Sequence, residues 1–314
     1  KLLARRELVK LKGTYADGLL PHVRADGRVH TTYNPDRARS GRGGAEDPNL
    51  QNIPRPKTPL GKMARNCFVA PPGTTLIEFD YGQIELRIAA YLSGDRVLID
   101  DFRSGVDIHR KSAALAFRVA LEDVTDKQRS DAKSIAVFGT LYGQSDKSMA
   151  EILSIPQAQA GQIREAIWGR YPTLARWCQT QKLRAQAEGE VWVETLDGCW
   201  RRRQLWQAGS ADKTQRGHAE RQAVNTPIQA KANEYTYASL IEIVRWILDE
   251  GLQSRVVLTV HDSIALEVPA AERARVLREV PRIMCGWGLG DIPVVVDAAE
   301  GPAWGSLEKL KLAA

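Results

Sequence analysis

The segment LTVHDSIALEV, residues 258–268, constrains the fold most strongly, because apolar residues alternate with other residues on both sides of a histidine and an aspartate. Alternation with a period of two predicts β-strands that bury one face, and a short polar interruption predicts a turn between them. We therefore expect a half-buried hairpin with His261 and Asp262 at its tip. Taken alone, the pair is most simply an ordinary polar turn. A second carboxylate nearby would give it a chemical role.

Composition limits what that role can be. The chain has 314 residues, of which 43% are apolar and 26% charged, enough for a sizeable core and two or more subdomains. Apolar runs stay below the roughly 18 to 20 residues that span a bilayer, and YASLIEIVRWILDEGL is typical of an amphipathic helix. The four cysteines lack metal-ligand spacing, which favours a reduced, intracellular environment. The net charge of +6 permits a polyanionic partner.

The order of sequence patterns predicts an α+β chain. Helical periodicity prevails from about residue 107 to 182 and again from about 219 to 250, and strand patterns precede and follow these regions. This order suggests a helical insertion between two parts of one sheet.

A second carboxylate stands in TTLIEFDYGQIELRIAAYLSGD, residues 74–95. A short apolar strand stops at Asp80, and apolar residues then recur at helical spacing. If this strand lies beside the hairpin, Asp80 and Asp262 meet at one end of the sheet, where they could hold two divalent cations about 3.5 to 4 Å apart. Such a pair of ions carries out phosphoryl transfer, so side chains that bind phosphate should follow.

Cations suited to phosphate occur in TDKQRSDAKSIAVFGTLYGQS, residues 125–145. Thr125 and Gln128 form a capping-box pattern that predicts a helix start. Arg129 and Lys133 are four residues apart, so both share one helix face and could bind a triphosphate. The alternative is a solvated basic face, which is the more common origin of an isolated pair of this kind.

Two aromatic residues continue the same pattern. Phe138 and Tyr142 are four residues apart and Gly143 follows them. Their rings could contact a sugar or a base, or they could belong to the core.

Taken together, six segments of the chain resemble, in order, the polymerase domain of family A DNA polymerases of the bacterial DNA polymerase I type. The segments are DPNLQNIP (47–54), DYGQIELRIAAYLS (80–93), DIHRKSA (107–113), the Arg-x-x-x-Lys helix ending in Tyr-Gly, ERQAVNTPIQ (220–229) and VHDS (260–263). The resemblance implies a right-hand polymerase fold, in which an antiparallel palm sheet carries an inserted helical fingers subdomain. It divides the chain into a thumb remnant with the start of the palm (1–46), the first part of the palm (47–106), the fingers (107–218) and the second part of the palm (219–314).

The resemblance also implies roles for individual residues. Asp80 and Asp262 would be catalytic and bind two Mg²⁺ ions, for which Mn²⁺ could substitute, and the Tyr81 carbonyl would add a ligand. The incoming nucleotide would contact Gln83, Glu85, His109, Arg129, Lys133, Phe138 and Tyr142. Among these, His109, Arg129 and Lys133 would hold the triphosphate, and Glu85 would block a ribose 2′-hydroxyl.

Primer and template DNA would contact Arg42, Arg221, Asn225 and Gln229, and His261 would lie near the primer terminus. Minor-groove acceptors are nearly independent of sequence, which suits an enzyme that copies any template. The alternative for Asn225 and Gln229 is a buried amide satisfied by its own helix neighbours.

Three features depart from the family pattern. One extra residue separates Lys133 from Tyr142, which would rotate the aromatic pair by about 100° on a regular helix. Either a π-bulge absorbs it, which we favour, or Val137 and Leu141 replace the aromatic residues on that face. Ser263 stands where these DNA polymerases usually carry Glu, and His-Asp-Ser resembles the corresponding motif of single-subunit RNA polymerases. Glu85 argues against RNA synthesis. The residues before DPNLQNIP are too few for a complete thumb, and nothing among them supplies a proofreading exonuclease. The first residues, KLLARRELVKLKG, lack a signal-peptide core and begin with Lys, so we expect a fragment or a processed chain.

The expected function is that of a DNA-templated DNA polymerase, which extends a primer 3′-hydroxyl with deoxynucleoside triphosphates by two-metal nucleotidyl transfer. Its partners would be primer-template DNA and deoxynucleotides, and not a membrane. Replication accessory proteins or a separate exonuclease or thumb region could join them, and its location would be cytoplasmic. A single-subunit RNA polymerase and a non-catalytic primer-template module are the alternatives.

Overall fold

The computed structural model describes residues 5–6, 8–9, 11–35, 41–56, 58–132 and 138–312. The chain divides into two compact units, each with its own core. Unit 1 comprises Lys1–Gly82, Asn233–Trp287 and Val295–Ala314, and unit 2 comprises Gln83–Ala232 and Gly288–Val294.

The strands are β1 (Thr32–Asn34), β2 (Gly44–Glu46), β3 (Thr74–Tyr81), β4 (Glu190–Glu194), β5 (Trp200–Gln204), β6 (Arg255–Val260), β7 (Ser263–Pro269), β8 (Val296–Gly301) and β9 (Glu308–Leu310). The α-helices are α1 (Pro59–Asn66), α2 (Ile84–Ser93), α3 (Arg96–Arg103), α4 (Ile108–Phe117), α5 (Asp126–Asp131), α6 (Phe138–Leu141), α7 (Asp146–Leu153), α8 (Gln157–Arg170), α9 (Pro172–Glu188), α10 (Lys213–Asp249) and α11 (Arg273–Cys285). Helices and antiparallel sheets together confirm the predicted α+β class.

Unit 1 is organised around a five-stranded antiparallel sheet with the order β6-β7-β3-β8-β9. The predicted hairpin is confirmed, because β6 and β7 pair with Val260 opposite Ser263. His261 and Asp262 form the two-residue turn between them. His261 has φ 58°, a positive value that tight hairpin turns require at their first central residue.

The prediction that this hairpin is half-buried is wrong for its second strand. Residues 263–268 of β7 are all buried, on both faces of the strand. β7 lies between β6 and β3 rather than at an edge, and α11 packs against it. Interior strands covered on both faces lose the alternation of burial that an exposed face produces.

The neighbouring strand β3 forms the centre of the core. Ile77 and Phe79 are fully buried, and burial of each side chain contributes roughly 1.5 to 3 kcal/mol relative to exposure. β3 pairs with β7 on one side and with β8 on the other, so its final residues are held from both sides.

Unit 2 contains α2 to α9, the hairpin β4–β5 and the first part of α10. The predicted helical middle is confirmed, although its elements begin and end at slightly different residues than the periodicity indicates. Asp101 joins three of these helices, because its buried carboxylate accepts hydrogen bonds from Lys111 at 2.6 Å and from Arg170 and Tyr171 at 3.0 Å. Burial raises the pKa of Asp101, but the three donors outweigh it and hold that pKa below its usual value.

The predicted cation helix is only partly described. Its capping box is confirmed, since Thr125 accepts from the Gln128 backbone N–H and Gln128 accepts from the Thr125 N–H. Lys133, Val137 and the side chain of Phe138 lie outside the described residues, so the π-bulge stays a prediction. In the part of the chain that the structure describes, helices are too short or too polar to cross a membrane.

Candidate active site

The first group of predicted site residues lies at one end of the unit 1 sheet. β3 runs antiparallel to β7 with Asp80 opposite Ser263, so Asp80 lies beside the turn that carries Asp262. The Tyr81 backbone N–H donates a hydrogen bond to the Asp262 carbonyl oxygen at 3.2 Å. The predicted neighbourhood of the strand end and the hairpin tip is therefore confirmed by backbone pairing.

The side chain of Tyr81 fixes this strand end in the core. Its hydroxyl lies 2.8 Å from the Met284 carbonyl oxygen and 2.7 Å from Ser239 Oγ. Trp287 Nε1 also donates to Ser239 Oγ, at 2.8 Å. Burial raises the pKa of the Tyr81 phenol, so the hydroxyl remains a donor at neutral pH. The backbone beside Asp80 is thus held by side-chain hydrogen bonds as well as by the sheet.

An additional carboxylate, which the sequence interpretation did not single out, lies in the neighbouring strand β8. Asp297 is exposed and stands directly opposite Asp80. Opposed residues of antiparallel strands share a face of the sheet, with Cβ atoms about 4.5 to 5.5 Å apart. The signal in the sequence is the one acidic residue within an otherwise apolar run, VVVDAA. Asp297 adds negative potential at this end of the sheet.

The predicted triphosphate residues lie in unit 2. Asp107, which precedes α4, accepts hydrogen bonds through Oδ1 from the backbone N–H groups of His109 and Arg110, both at 3.0 Å. Its other oxygen, Oδ2, accepts from Arg129 Nε at 2.5 Å. The ring of His109 is buried, with 1% of its surface exposed. The ring is thus inaccessible in this structure, whereas Arg129 is partly exposed.

The predicted sugar-facing residues are also brought together in unit 2. The Tyr142 hydroxyl donates a hydrogen bond to the Glu85 carboxylate, although the two residues are far apart in sequence. Gln83 precedes α2 with φ 60°, and its buried Oε1 accepts no hydrogen bond from a described residue. A buried acceptor in this state is unusual in folded proteins and is consistent with a site for a ligand donor.

Among the predicted DNA-binding residues, Arg221, Asn225 and Gln229 recur every four residues on α10 and share one helix face. The buried Oδ1 of Asn225 accepts no hydrogen bond from a described residue, so the alternative of a self-satisfied amide does not hold for that oxygen. Arg221 packs over Gly143, where a Cβ atom would come within 2.9 Å of Arg221 Cγ. This close approach and a φ of 71° explain the glycine after Tyr142.

The remaining predicted DNA contacts lie in unit 1. Arg42 precedes Gly43, whose backbone N–H donates to Asn233 Oδ1 at 3.0 Å. A Cβ atom at position 43 would stand 2.0 Å from the Tyr237 hydroxyl, so a larger residue would have to displace that side chain. The backbone at Arg42 is thus placed closely against α10. His261 is exposed in the hairpin turn.

Comparison with known proteins identifies the class. The architecture is the right-hand polymerase fold, as in the POL domain of Pol1 from M. smegmatis, a structure solved in complex with DNA primer-template and dNTP. That structure superposes with a TM-score of 0.88 at 36% sequence identity, covering 97% of this chain and 53% of that one. The model of DNA polymerase family A matches residues 1–306. The chain belongs to DNA polymerase family A.

Curated relatives agree with this assignment. The chain is 39% identical to DNA polymerase I of Pseudomonas aeruginosa over 304 residues, which cover 96% of this chain and 33% of that protein. It is also 39% identical to the thermostable DNA polymerase I of Thermus thermophilus over 307 residues, which cover 97% of this chain and 36% of that protein. The chain thus spans about a third of the length of these relatives.

Family membership implies a divalent metal cofactor, and the donors at the unit 1 sheet end fit one. Asp80 and Asp262 supply carboxylate oxygens, the ligands that hard divalent cations prefer. Within the described residues, groups of three or more His, Cys, Asp or Glu side chains in metal-binding geometry are absent.

Proposed function

We propose that this chain is a DNA-templated DNA polymerase, which extends the 3′-hydroxyl of a primer with deoxynucleoside triphosphates. The observation that carries the proposal is the pairing of Asp80 on β3 with the turn that presents Asp262. Two carboxylates fixed by a shared backbone ladder are suited to nucleotidyl transfer in a family A fold.

The proposed reaction forms a bond between the primer 3′-oxygen and the α-phosphorus of the nucleotide. The bond from that phosphorus to the oxygen bridging toward the β-phosphate breaks, pyrophosphate leaves, and the hydroxyl proton passes to water. Asp80 and Asp262, with the Tyr81 carbonyl, would hold two Mg²⁺ ions. When bound, these ions lower the pKa of the attacking hydroxyl and stabilise charge on the leaving oxygens.

Residues of unit 2 would bind and select the nucleotide. Arg129 offers terminal guanidinium N–H groups to phosphate oxygens, and His109 and Lys133 would join it. Glu85 would exclude a ribose 2′-hydroxyl, held in position by the hydrogen bond from Tyr142. Gln83 and Phe138 complete the proposed nucleotide contacts.

The duplex would be bound through charge and minor-groove acceptors. We assign these contacts to Arg42, Arg221, Asn225 and Gln229, with His261 at the primer terminus. The amide N–H groups of Asn225 and Gln229 would donate hydrogen bonds to these acceptors. In this proposal the palm comprises residues 47–106 and 219–314 and the fingers residues 107–218.

The second candidate is a single-subunit RNA polymerase, favoured by Ser263 after Asp262. Glu85 argues for DNA synthesis, because its carboxylate would meet a 2′-hydroxyl. A primed template extended with separate deoxy- and ribonucleotide pools distinguishes the two. We expect extension by deoxynucleotides that requires Mg²⁺; efficient extension by ribonucleotides would support the second candidate, and no extension with bound primer-template would support a non-catalytic module.

A further inference from the structure

A carboxylate without an assigned role connects two residues proposed to bind the triphosphate. Asp107 accepts the His109 backbone N–H through Oδ1 and the Arg129 Nε–H through Oδ2. One side chain therefore caps the start of α4 and contacts a cation on α5. A helix cap alone needs only one of these oxygens.

The atom through which Arg129 is held is informative. A guanidinium carries five N–H groups in a rigid plane, one on Nε and four on the terminal nitrogens. Because Asp107 contacts Nε, it fixes the plane of the group without occupying the N–H pair that the two terminal nitrogens form together. Terminal N–H pairs match phosphate oxygens in parallel, two-bond geometry.

Backbone hydrogen bonds hold the segments that carry both residues of the Asp107–Arg129 pair. Asp107 is tied to α4 by its hydrogen bonds to the backbone N–H groups of His109 and Arg110. Arg129 lies in the first turns of α5, which the Thr125 capping box anchors. Arg110 also connects the two helices, because its Nη1 donates to the Val124 carbonyl oxygen at 2.7 Å.

The charge state of Asp107 suits this arrangement. Burial acts to raise the pKa of the carboxyl, but the hydrogen bonds from Arg129 and from the Arg110 backbone outweigh it, so the pKa lies below its usual value. The carboxylate is therefore ionised at neutral pH. An ionised acceptor makes a stronger hydrogen bond to a guanidinium than a neutral acceptor does.

We propose that Asp107 is a positioning residue, which orients the Arg129 guanidinium so that its terminal N–H groups meet the triphosphate of the incoming nucleotide. This inference rests on the proposed function of Arg129. Asp107 itself does not touch the phosphates, which its charge would repel. Its contribution is made through Arg129 and should vanish when Arg129 is absent.

The test is a double-mutant cycle read out by steady-state single-nucleotide incorporation. Asp107→Asn and Asp107→Ser both retain a capping oxygen and remove the charge that holds Arg129. We expect either variant to raise KM for the deoxynucleotide about tenfold, the loss of one charge-assisted hydrogen bond, with a smaller change in kcat. In the Arg129→Ala background the same substitutions should have little further effect.

Two controls separate positioning from folding. Asp126→Asn removes a carboxylate from the first turn of α5, where Asp126 is 99% exposed and only 3.6 Å from Arg110, and should leave KM unchanged. Arg129→Lys leaves Asp107 in place, retains the positive charge and removes the Nε contact. Arg129→Lys should raise KM in the wild-type background and should not raise it further in the Asp107→Asn background. Primer-template affinity should stay constant throughout.

The outcomes distinguish this inference from the function on which it rests. If Arg129→Ala raises KM but Asp107→Asn and Asp107→Ser do not, the positioning role is wrong and the triphosphate assignment stands. Effects of Asp107 and Arg129 that multiply independently would also overturn it, because Asp107 would then act through the helix cap. If Arg129→Ala leaves KM unchanged, the proposed triphosphate site itself is wrong.

Discussion

The sheet end in unit 1 and the helix starts in unit 2 hold their reactive side chains in different ways. At the sheet end, Asp80 and Asp262 are placed by strand register and by the backbone bond from Tyr81 to the Asp262 carbonyl oxygen. In unit 2, side chains place other side chains, as Asp107 does for Arg129. A substitution at the sheet end should therefore reduce catalysis and leave the neighbouring residues in place. A substitution in unit 2 should also displace the side chain to which the substituted residue is hydrogen-bonded.

The largest effect is expected at the sheet end. Asp80→Asn and Asp262→Asn keep the shape of the side chain and the strand pairing but weaken metal binding. We expect kcat for primer extension to fall roughly 10³-fold or more, because metal stabilisation is worth several kcal/mol and about 1.4 kcal/mol is tenfold. Primer-template Kd and Tm should change little. Glu308→Gln, an exposed carboxylate on edge strand β9, is the matched control and should extend normally.

Near-normal turnover in either aspartate variant would contradict the two-metal assignment. A large drop in Tm would contradict the comparison instead, because it would show that these side chains, and not only the backbone, hold the sheet end together.

The second prediction concerns the side-chain link in unit 2. Glu85→Ala removes the carboxylate that would meet a 2′-hydroxyl, and should improve ribonucleotide use relative to deoxynucleotide use by roughly 10²-fold. Tyr142→Phe keeps the ring but removes the hydroxyl that donates to Glu85, and should give a smaller change in the same direction, roughly tenfold. Single-nucleotide kinetics with both sugar types provide the measurement. If Tyr142→Phe discriminates between ribonucleotides and deoxynucleotides as well as the wild type does, Glu85 does not need the hydrogen bond from Tyr142.

The same contrast explains which features could be predicted from the sequence. The hairpin around His261 and the strand-to-helix junction at Asp80 follow from periodicity and turn chemistry, which are local. The capping box at Thr125 is likewise local and is present in the structure. Strand pairing then brings the two aspartates together, because Asp80 lies near the end of β3 and Asp262 lies in the turn before β7, with which β3 pairs.

The hydrogen bonds between side chains in unit 2 have no local sequence pattern that predicts them. Asp107 and Arg129 are 22 residues apart, and Glu85 and Tyr142 are 57 apart, so neither pair falls within one helix or hairpin. The full burial of β7 was missed for a related reason: neighbours on both sides of a strand come from distant segments. Asp297 shows the same limit, because its place opposite Asp80 depends on β8, more than 200 residues away.

A third prediction compares charge with hydrogen bonding on one helix face. Arg221→Ala should weaken primer-template binding and reduce the slope of log affinity against log salt by about 0.9, since one phosphate contact is lost. Asn225→Ala should weaken binding at each salt concentration without changing the slope, because a neutral amide displaces no counterion. Titrations at several salt concentrations give both slopes. Equal slopes for Arg221→Ala and the wild type would remove Arg221 from the DNA contacts.

The smallest effect on activity is expected at Tyr81. Its proposed ligand to the metal is the backbone carbonyl, which Tyr81→Phe retains, so kcat should change by less than about threefold if strand pairing alone places the carbonyl. Stability should fall by about 1 to 2 kcal/mol, because the hydrogen bonds to Ser239 and Met284 are lost in the core. Denaturant unfolding measures this change.

The pH dependence of stability sharpens this last test. Burial raises the pKa of the Tyr81 phenol in the folded state above its unfolded value of about 10. The unfolded chain therefore releases its proton first, and the stability contributed by this group is complete below about pH 10 and declines as the pH rises further. Tyr81→Phe should lose stability less steeply than the wild type above that pH. Parallel declines would contradict the raised pKa of the Tyr81 phenol. A collapse of kcat at neutral pH would show that the buried hydroxyl does more than anchor the strand on which Asp80 stands.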